Sequence, residues 1–268
     1  MSLLVLKLIL TPLLIAAATL AVRRWGFAIG GLFTGLPLTS GPISLFLAIE
    51  QGPQFAEQVS QGMLLGMVSL VTFCVAYART ARGPAWFPSL AIGIGVYFLA
   101  SWGLSFISLS HEYLSLMAFL LMWAAFKAAG PSTPGDFHAE SPWWDIPARM
   151  VTATAMVFLI TGGAQSLGPR WSGLIAPFPV FTCIMGVFAQ KQNGAAAAHR
   201  LLRAIILGCF SAVAFFVVIG FTVERTTLTA TYLLATAAAL SASALGLAYV
   251  QVRSGRQKAL ALDSTLRR

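Results

Sequence analysis

From residue 3 to residue 252 the chain is a succession of apolar runs parted by short polar stretches. Each run is close to the roughly 20 residues that a helix needs to cross the hydrocarbon core of a bilayer. That length constrains the fold more than any other feature. In lipid every backbone N–H and C=O must be satisfied internally, so only helices and closed barrels can span. The runs show no two-residue alternation, and the expected fold class is therefore an all-α integral membrane protein. Composition agrees: 58% of the 268 residues are hydrophobic and 9% are charged, against about 25% charged in a soluble domain.

Nine spans are expected, at 3–22, 27–49, 59–78, 85–106, 112–129, 148–167, 172–190, 202–222 and 228–252. The apolar N-terminal stretch is read as a retained first helix and not as a signal peptide, because Arg23 and Arg24 follow the run instead of preceding it. The positive-inside rule then sets the orientation. With the C-terminus in the cytoplasm, fourteen of the seventeen Lys and Arg residues fall inside, and only Lys7, Arg170 and Arg225 fall outside. The N-terminus is then external. The net charge of +9 is thereby topogenic and does not point to nucleic acid. The basic tail over 253–268 can touch anionic lipid heads.

The chain also repeats itself. Shifted by 142 residues, GLFTGLPLTSGPISLFLAIEQG (31–52) falls on GLIAPFPVFTCIMGVFAQKQNG (173–194) without a gap. Identities up to residue 75 include Gly31/Gly173, Pro37/Pro179, Gly52/Gly194, Ala56/Ala198, Gly66/Gly208, Ser69/Ser211 and Phe73/Phe215. Each unit covers four spans, and the single span between them inverts the second unit. The expected organisation is a first four-helix repeat (1–106), a linker helix with a cytoplasmic loop (107–147), a second, inverted four-helix repeat (148–252) and a basic cytoplasmic tail (253–268). Inverted-topology repeats of this kind characterise many secondary transporters.

Within the repeat, Gly and Pro interrupt spans 2 and 7 at matching positions. Proline removes a backbone donor and clashes with the preceding turn. Irregular backbone at membrane depth is tolerated only where it is buried in protein or lines a cavity. Thr34, Gly35, Pro37, Thr39, Ser40, Pro177, Pro179 and Thr182 are therefore the candidate substrate-binding residues. Hydroxyls and unwound carbonyls supply polar contacts there, and half-helix N-termini favour an anionic group. The competing reading is a proline kink whose small residues pack against a neighbouring helix. Ionisable residues inside a membrane are functional candidates by default, but no Asp or Glu lies mid-span. Glu50, Glu57, Lys7 and Gln61 are the gating or coupling candidates, with an interfacial or snorkelling role as the plainer alternative.

Catalytic constellations are thin. HExxH and GxSxG are absent, and His138–Glu140 lacks metal-ligand partners. Cys74, Cys183 and Cys209 sit in apolar runs without CxxC spacing and read as small hydrophobes. Nothing resembles a nucleotide loop. No enzymatic activity, metal or cofactor is expected.

The repeated "GL…P" unit, followed by a small-residue span carrying LG, resembles the small four-span bacterial membrane proteins of the GlpM family over 31–77 and 173–219. That resemblance implies a role in envelope polysaccharide production and carries over no catalytic motif. The duplicated architecture is also similar to that of drug/metabolite transporters. Small multidrug members of that group use a glutamate in their first span; span 1 here has none, so proton-coupled drug export is not implied. Two functions follow as expectations. One is a secondary transporter of a small polar or anionic metabolite, or of an envelope precursor, working by alternating access. The other is a non-transporting scaffold that partners envelope-biogenesis proteins. The Ala/Gly richness and the lack of targeting signals suggest a bacterial inner membrane.

Overall fold

The computed structural model describes residues 3–37, 40–81, 83, 85–131, 144–152, 154–155 and 178–266. Among them there are eight helices and no strand. These are α1 (Leu3–Thr34), α2 (Ser40–Gln51), α3 (Pro53–Thr80), α4 (Phe87–Leu104), α5 (His111–Ala128), α6 (145–152), α7 (Val180–Thr222) and α8 (Leu228–Leu266). By length and composition, α3, α4, α7 and the Leu228–Val252 part of α8 are long and apolar enough to cross a membrane. The chain is an all-helical membrane protein.

The helix count differs from the nine expected, and the reason is local. The boundary expected between spans 1 and 2 is a single corner at Gly26, so α1 runs on to Thr34. Span 2 is then shared between the end of α1 and α2. Spans 7 and 8 are likewise joined into one 43-residue helix that turns at Gly194. At these corners one residue of positive φ redirects the chain without a loop. Gly52 has φ 90°, ψ 174°, and Gly194 has φ 83°, ψ 176°. This backbone region is essentially restricted to glycine. Two glycines 142 positions apart thus adopt the same conformation at the same place in the repeated segment.

The ends of the helices follow ordinary rules. Pro53 opens α3 directly after Gly52, where its missing N–H costs nothing. Helix α5 carries Glu112 in its first turn and Lys127 in its last, complementing the helix dipole. The Thr227 hydroxyl accepts the Ala230 N–H and caps α8.

Helix α7 is the buried axis, packed on α1, α3, α5 and α8, while α4 and α8 lie at the periphery. Their outer faces expose Phe87, Leu99, Trp102, Leu233, Leu240 and Leu245, as lipid contact requires. Helix α5 is fastened at both ends. His111 Nε2 lies 3.1 Å from the Val217 carbonyl, and the ring rests on Phe221 at 4.8 Å. At the other end Arg79 donates to the Ala128 carbonyl at 2.8 Å, Arg203 donates to Gly130, and His199 meets Ala129 O at 2.7 Å. Three basic side chains thus cover the carbonyls that a helix C-terminus leaves without intrahelical partners.

Candidate functional site

The two interruptions have matching local structure. Helix α1 ends at Thr34, the chain is irregular through Pro37, and α2 opens at Ser40. Phe178 and Pro179 are irregular, and α7 opens at Val180. The Pro37 carbonyl accepts the Gly41 N–H at 2.8 Å, and the Pro179 carbonyl accepts the Cys183 N–H at 2.9 Å. Gly41 and Cys183 are again 142 residues apart.

The predicted site residues fall as follows. The Thr34 hydroxyl donates back to the Gly30 carbonyl at 2.8 Å and is half-buried. Gly35 is buried against the Gly208–Cys209 backbone. Pro37 and Ser40 are half-buried, whereas Pro179 and Thr182 are buried. Thr39 and Pro177 lie outside the described residues, as do the side chains of Lys7 in α1 and Glu50 in α2. Gln61 donates to the Glu57 carboxylate at 3.2 Å on the first turns of α3. The breaks have separate surroundings. The first lies by Gly208, Cys209 and the Phe215 ring. At the second, Phe178 packs on Tyr97 at 5.5 Å and on Phe98 at 5.7 Å. All three cysteines are buried and free.

Sequence reasoning missed the most strongly charged group. Asp145, at the start of α6, is wholly buried. Its carboxylate accepts from Arg149 at 2.9 Å and Gln192 at 2.5 Å through one oxygen, and from Arg23 at 3.1 Å through the other. Arg149 also donates to the Gln192 side-chain oxygen at 3.1 Å and lies 4.5 Å over the Phe188 ring. Burial by itself raises the Asp145 carboxyl. The hydrogen bond from Gln192 and the two guanidiniums outweigh that and hold it below the usual carboxylate range. The available signal was the Asp145–Arg149 spacing of four, which brings both side chains to one helical face. Two residues before Gln192, buried Gln190 donates to the Gly83 and Ala85 carbonyls at 3.2 and 3.1 Å.

A second group went unread because it carries no charge. The buried residues of α4 are Ser89, Gly93 and Tyr97, one per turn along one face. Tyr77 of α3 packs beside Gly93 and against Gly186 of α7. The side-chain oxygens of Tyr77, Ser89 and Tyr97 are buried without a hydrogen-bond partner. Compared with family models, curated proteins and solved structures, the chain matches none.

Proposed function

We propose that the chain is a secondary transporter of a small polar or anionic metabolite, or of an envelope precursor. It works by alternating access between two inverted halves in a bacterial inner membrane. One observation carries the reading: the same local structure occurs twice, at Pro37–Gly52 and at Pro179–Gly194. In each case the carbonyl of an irregular proline accepts an N–H from the first turn of the helix that follows, and that helix stops or turns at a glycine of positive φ. Duplicated breaks in the two halves of a membrane protein are where transporters of this class hold substrate.

The spatial grouping of the loops supports the inverted orientation. The segments that the charge count puts inside lie together: Arg23, Asp145 and Gln192 in one cluster, and Gly83 with Gln190 beside it. Those put outside also meet, as His111 does with Val217 and Phe221. On this reading the N-terminus is external and the C-terminus cytoplasmic. Thr34, Ser40 and Thr182 flank the two breaks, and Glu57 with Gln61 stands at the outer end of α3.

The test is thiol labelling in whole cells, with single cysteines at positions 34, 39 and 182 in a cysteine-free background. Labelling by a small membrane-impermeant reagent supports a water-accessible path at both breaks. Silence at all three positions from both sides of the membrane sinks transport.

The alternative is a non-transporting scaffold for envelope polysaccharide biogenesis, in line with the GlpM resemblance. It is favoured by the direct contact of Gly35 with the Gly208 backbone, which uses the first break for packing.

A further inference from the structure

Helices α5 and α8 both pack on α7 but not along one another. Between them runs a half-buried stripe of α7, Arg203, Leu207 and Phe210, at the i, i+4 and i+7 positions of one helical face. On one side of it Phe210 meets Phe119 of α5 at 5.7 Å. On the other, Leu207 lies 3.6 Å from the position of a Cβ on Gly246 of α8. Phe119, Trp123 and Tyr249 stand exposed along this seam. At its end the two flanking helices come together, with the Phe126 and Tyr249 rings 5.8 Å apart.

That end is ringed by basic side chains. Lys127 is exposed, and its ammonium lies 5.1 Å over the Trp123 ring. Arg79, also exposed, donates to the Ala128 carbonyl through Nε at 2.8 Å and again through Nη2. His199 meets the Ala129 carbonyl at 2.7 Å. Arg203 donates to the Gly130 carbonyl and lies 4.1 Å over the Phe126 ring. These contacts all fall on the last turns of α5 and the residues just after it, so the four groups stand at one place. Both Arg79 bonds go to a single carbonyl, and a guanidinium has further N–H donors to give. Among the described side chains the carboxylates lie elsewhere. Glu57 and Glu112 are near the starts of α3 and α5, Glu224 follows α7, and Asp145 is bonded to Arg23, Arg149 and Gln192. Cations gathered without a counter-charge repel, and an anion from outside relieves that. The depth is also set: Arg79 sits in the last turn of α3, a helix able to span the membrane, so this collar lies where headgroups meet water.

We propose that the seam between α5 and α8 binds one anionic phospholipid. An acyl chain lies along Leu207 and Phe210, and the phosphate sits on Arg79 and Lys127 beside His199 and Arg203. Basic pockets between membrane helices take anionic headgroups in this way. A zwitterionic lipid brings its own cation to the collar and is disfavoured. A free phosphate finds the charge but leaves the apolar seam unfilled. The site is independent of the transport reading.

The experiment is native mass spectrometry of the delipidated full-length protein in detergent, titrated with phosphatidylglycerol, phosphatidylcholine or glycerol 3-phosphate. Phosphatidylglycerol should give one saturable adduct, roughly tenfold tighter than phosphatidylcholine, and glycerol 3-phosphate none over the same range. Lys127→Gln removes a charge that holds no carbonyl, so the unfolding midpoint without lipid should shift little while phosphatidylglycerol affinity falls about fivefold. Arg24→Gln is the control. Arg24 is an exposed cation 5.6 Å over the exposed Trp25 ring on α1, and its loss should leave the adduct unchanged. Equal affinity for the two lipids, or equal losses in Lys127→Gln and Arg24→Gln, overturns the site. Binding of glycerol 3-phosphate as tight as that of the lipid makes it a site for free phosphate and overturns the lipid assignment. So does a dimer of the stripped protein that cross-links through Phe210→Cys in a cysteine-free background, which gives the seam to a second copy.

Discussion

Gly35 and Gly208 meet backbone to backbone: a Cβ on Gly35 would sit 2.6 Å from the Gly208 Cα, and one on Gly208 would sit 2.9 Å from the Gly35 Cα. Backbone cannot swing aside as a side chain can. Gly35→Ala and Gly208→Ala should each destabilise the protein by about 1–3 kcal/mol, the usual cost of overpacking. Gly62→Ala is the control. Its Cβ would meet nothing within 4 Å, and alanine is the better helix former by roughly 0.5–1 kcal/mol. Thermal unfolding in detergent should therefore lower the midpoint for the first two variants and hold or raise it for the third.

The corners at Gly52 and Gly194 give a different kind of prediction. A Cβ at either position would meet nothing within 4 Å, so space is not the issue. The backbone conformation is. Alanine there pays strain of about 1–3 kcal/mol, and the loss should be similar at the two sites because their φ and ψ agree to within a few degrees. A large loss at one and none at the other, read from unfolding midpoints, would break the equivalence of the two segments.

The same pair shows what a sequence can and cannot disclose here. Pro37 and Pro179 were legible as breaks because proline acts on its own turn, whatever surrounds it. Gly52 and Gly194 were legible as matched positions but not as corners. A glycine at a span end reads equally well as part of a loop, and only the backbone angles distinguish the two. That ambiguity is why nine spans become eight helices among the described residues. Asp145 was passed over because it borders a polar loop, and Arg149 was absorbed into the count of topogenic charges. Their partners Arg23 and Gln192 come from elements more than forty residues away, so only tertiary structure could supply them. The stripe of Ser89, Gly93 and Tyr97 was hidden for another reason. Small polar residues at helical spacing in an apolar helix also serve helix packing, and only unpaired hydroxyls set them apart.

Asp145 should govern acid stability. Its folded carboxyl titrates below the ordinary value of 3.8. A depressed carboxylate contributes stability that is fully present above its unfolded value and is lost as pH falls through its folded value. Wild-type midpoints should therefore drop as pH is lowered below about 4, and Asp145→Asn should flatten that part of the profile. At neutral pH the substitution leaves Arg149 buried without its anion and should cost about 3–5 kcal/mol. Adding Arg149→Met to Asp145→Asn should recover part of the loss, because the stranded charge is then gone.

His111 and Gly220 form the last testable pair. The imidazole lies flat on the glycine, so a Cβ at position 220 would overlap the ring itself. The ring is also tied to the Val217 carbonyl and edge-packed on Phe221, so it cannot yield without losing both contacts. Gly220→Ala should therefore destabilise by about 1–3 kcal/mol. His111→Ala loses the hydrogen bond and the ring packing but frees the space. The double variant should accordingly be less damaged than the sum of the singles, with a coupling of about 0.5–3 kcal/mol. A double-mutant cycle on unfolding midpoints measures this directly. Strict additivity would mean that the ring does not rest on Gly220.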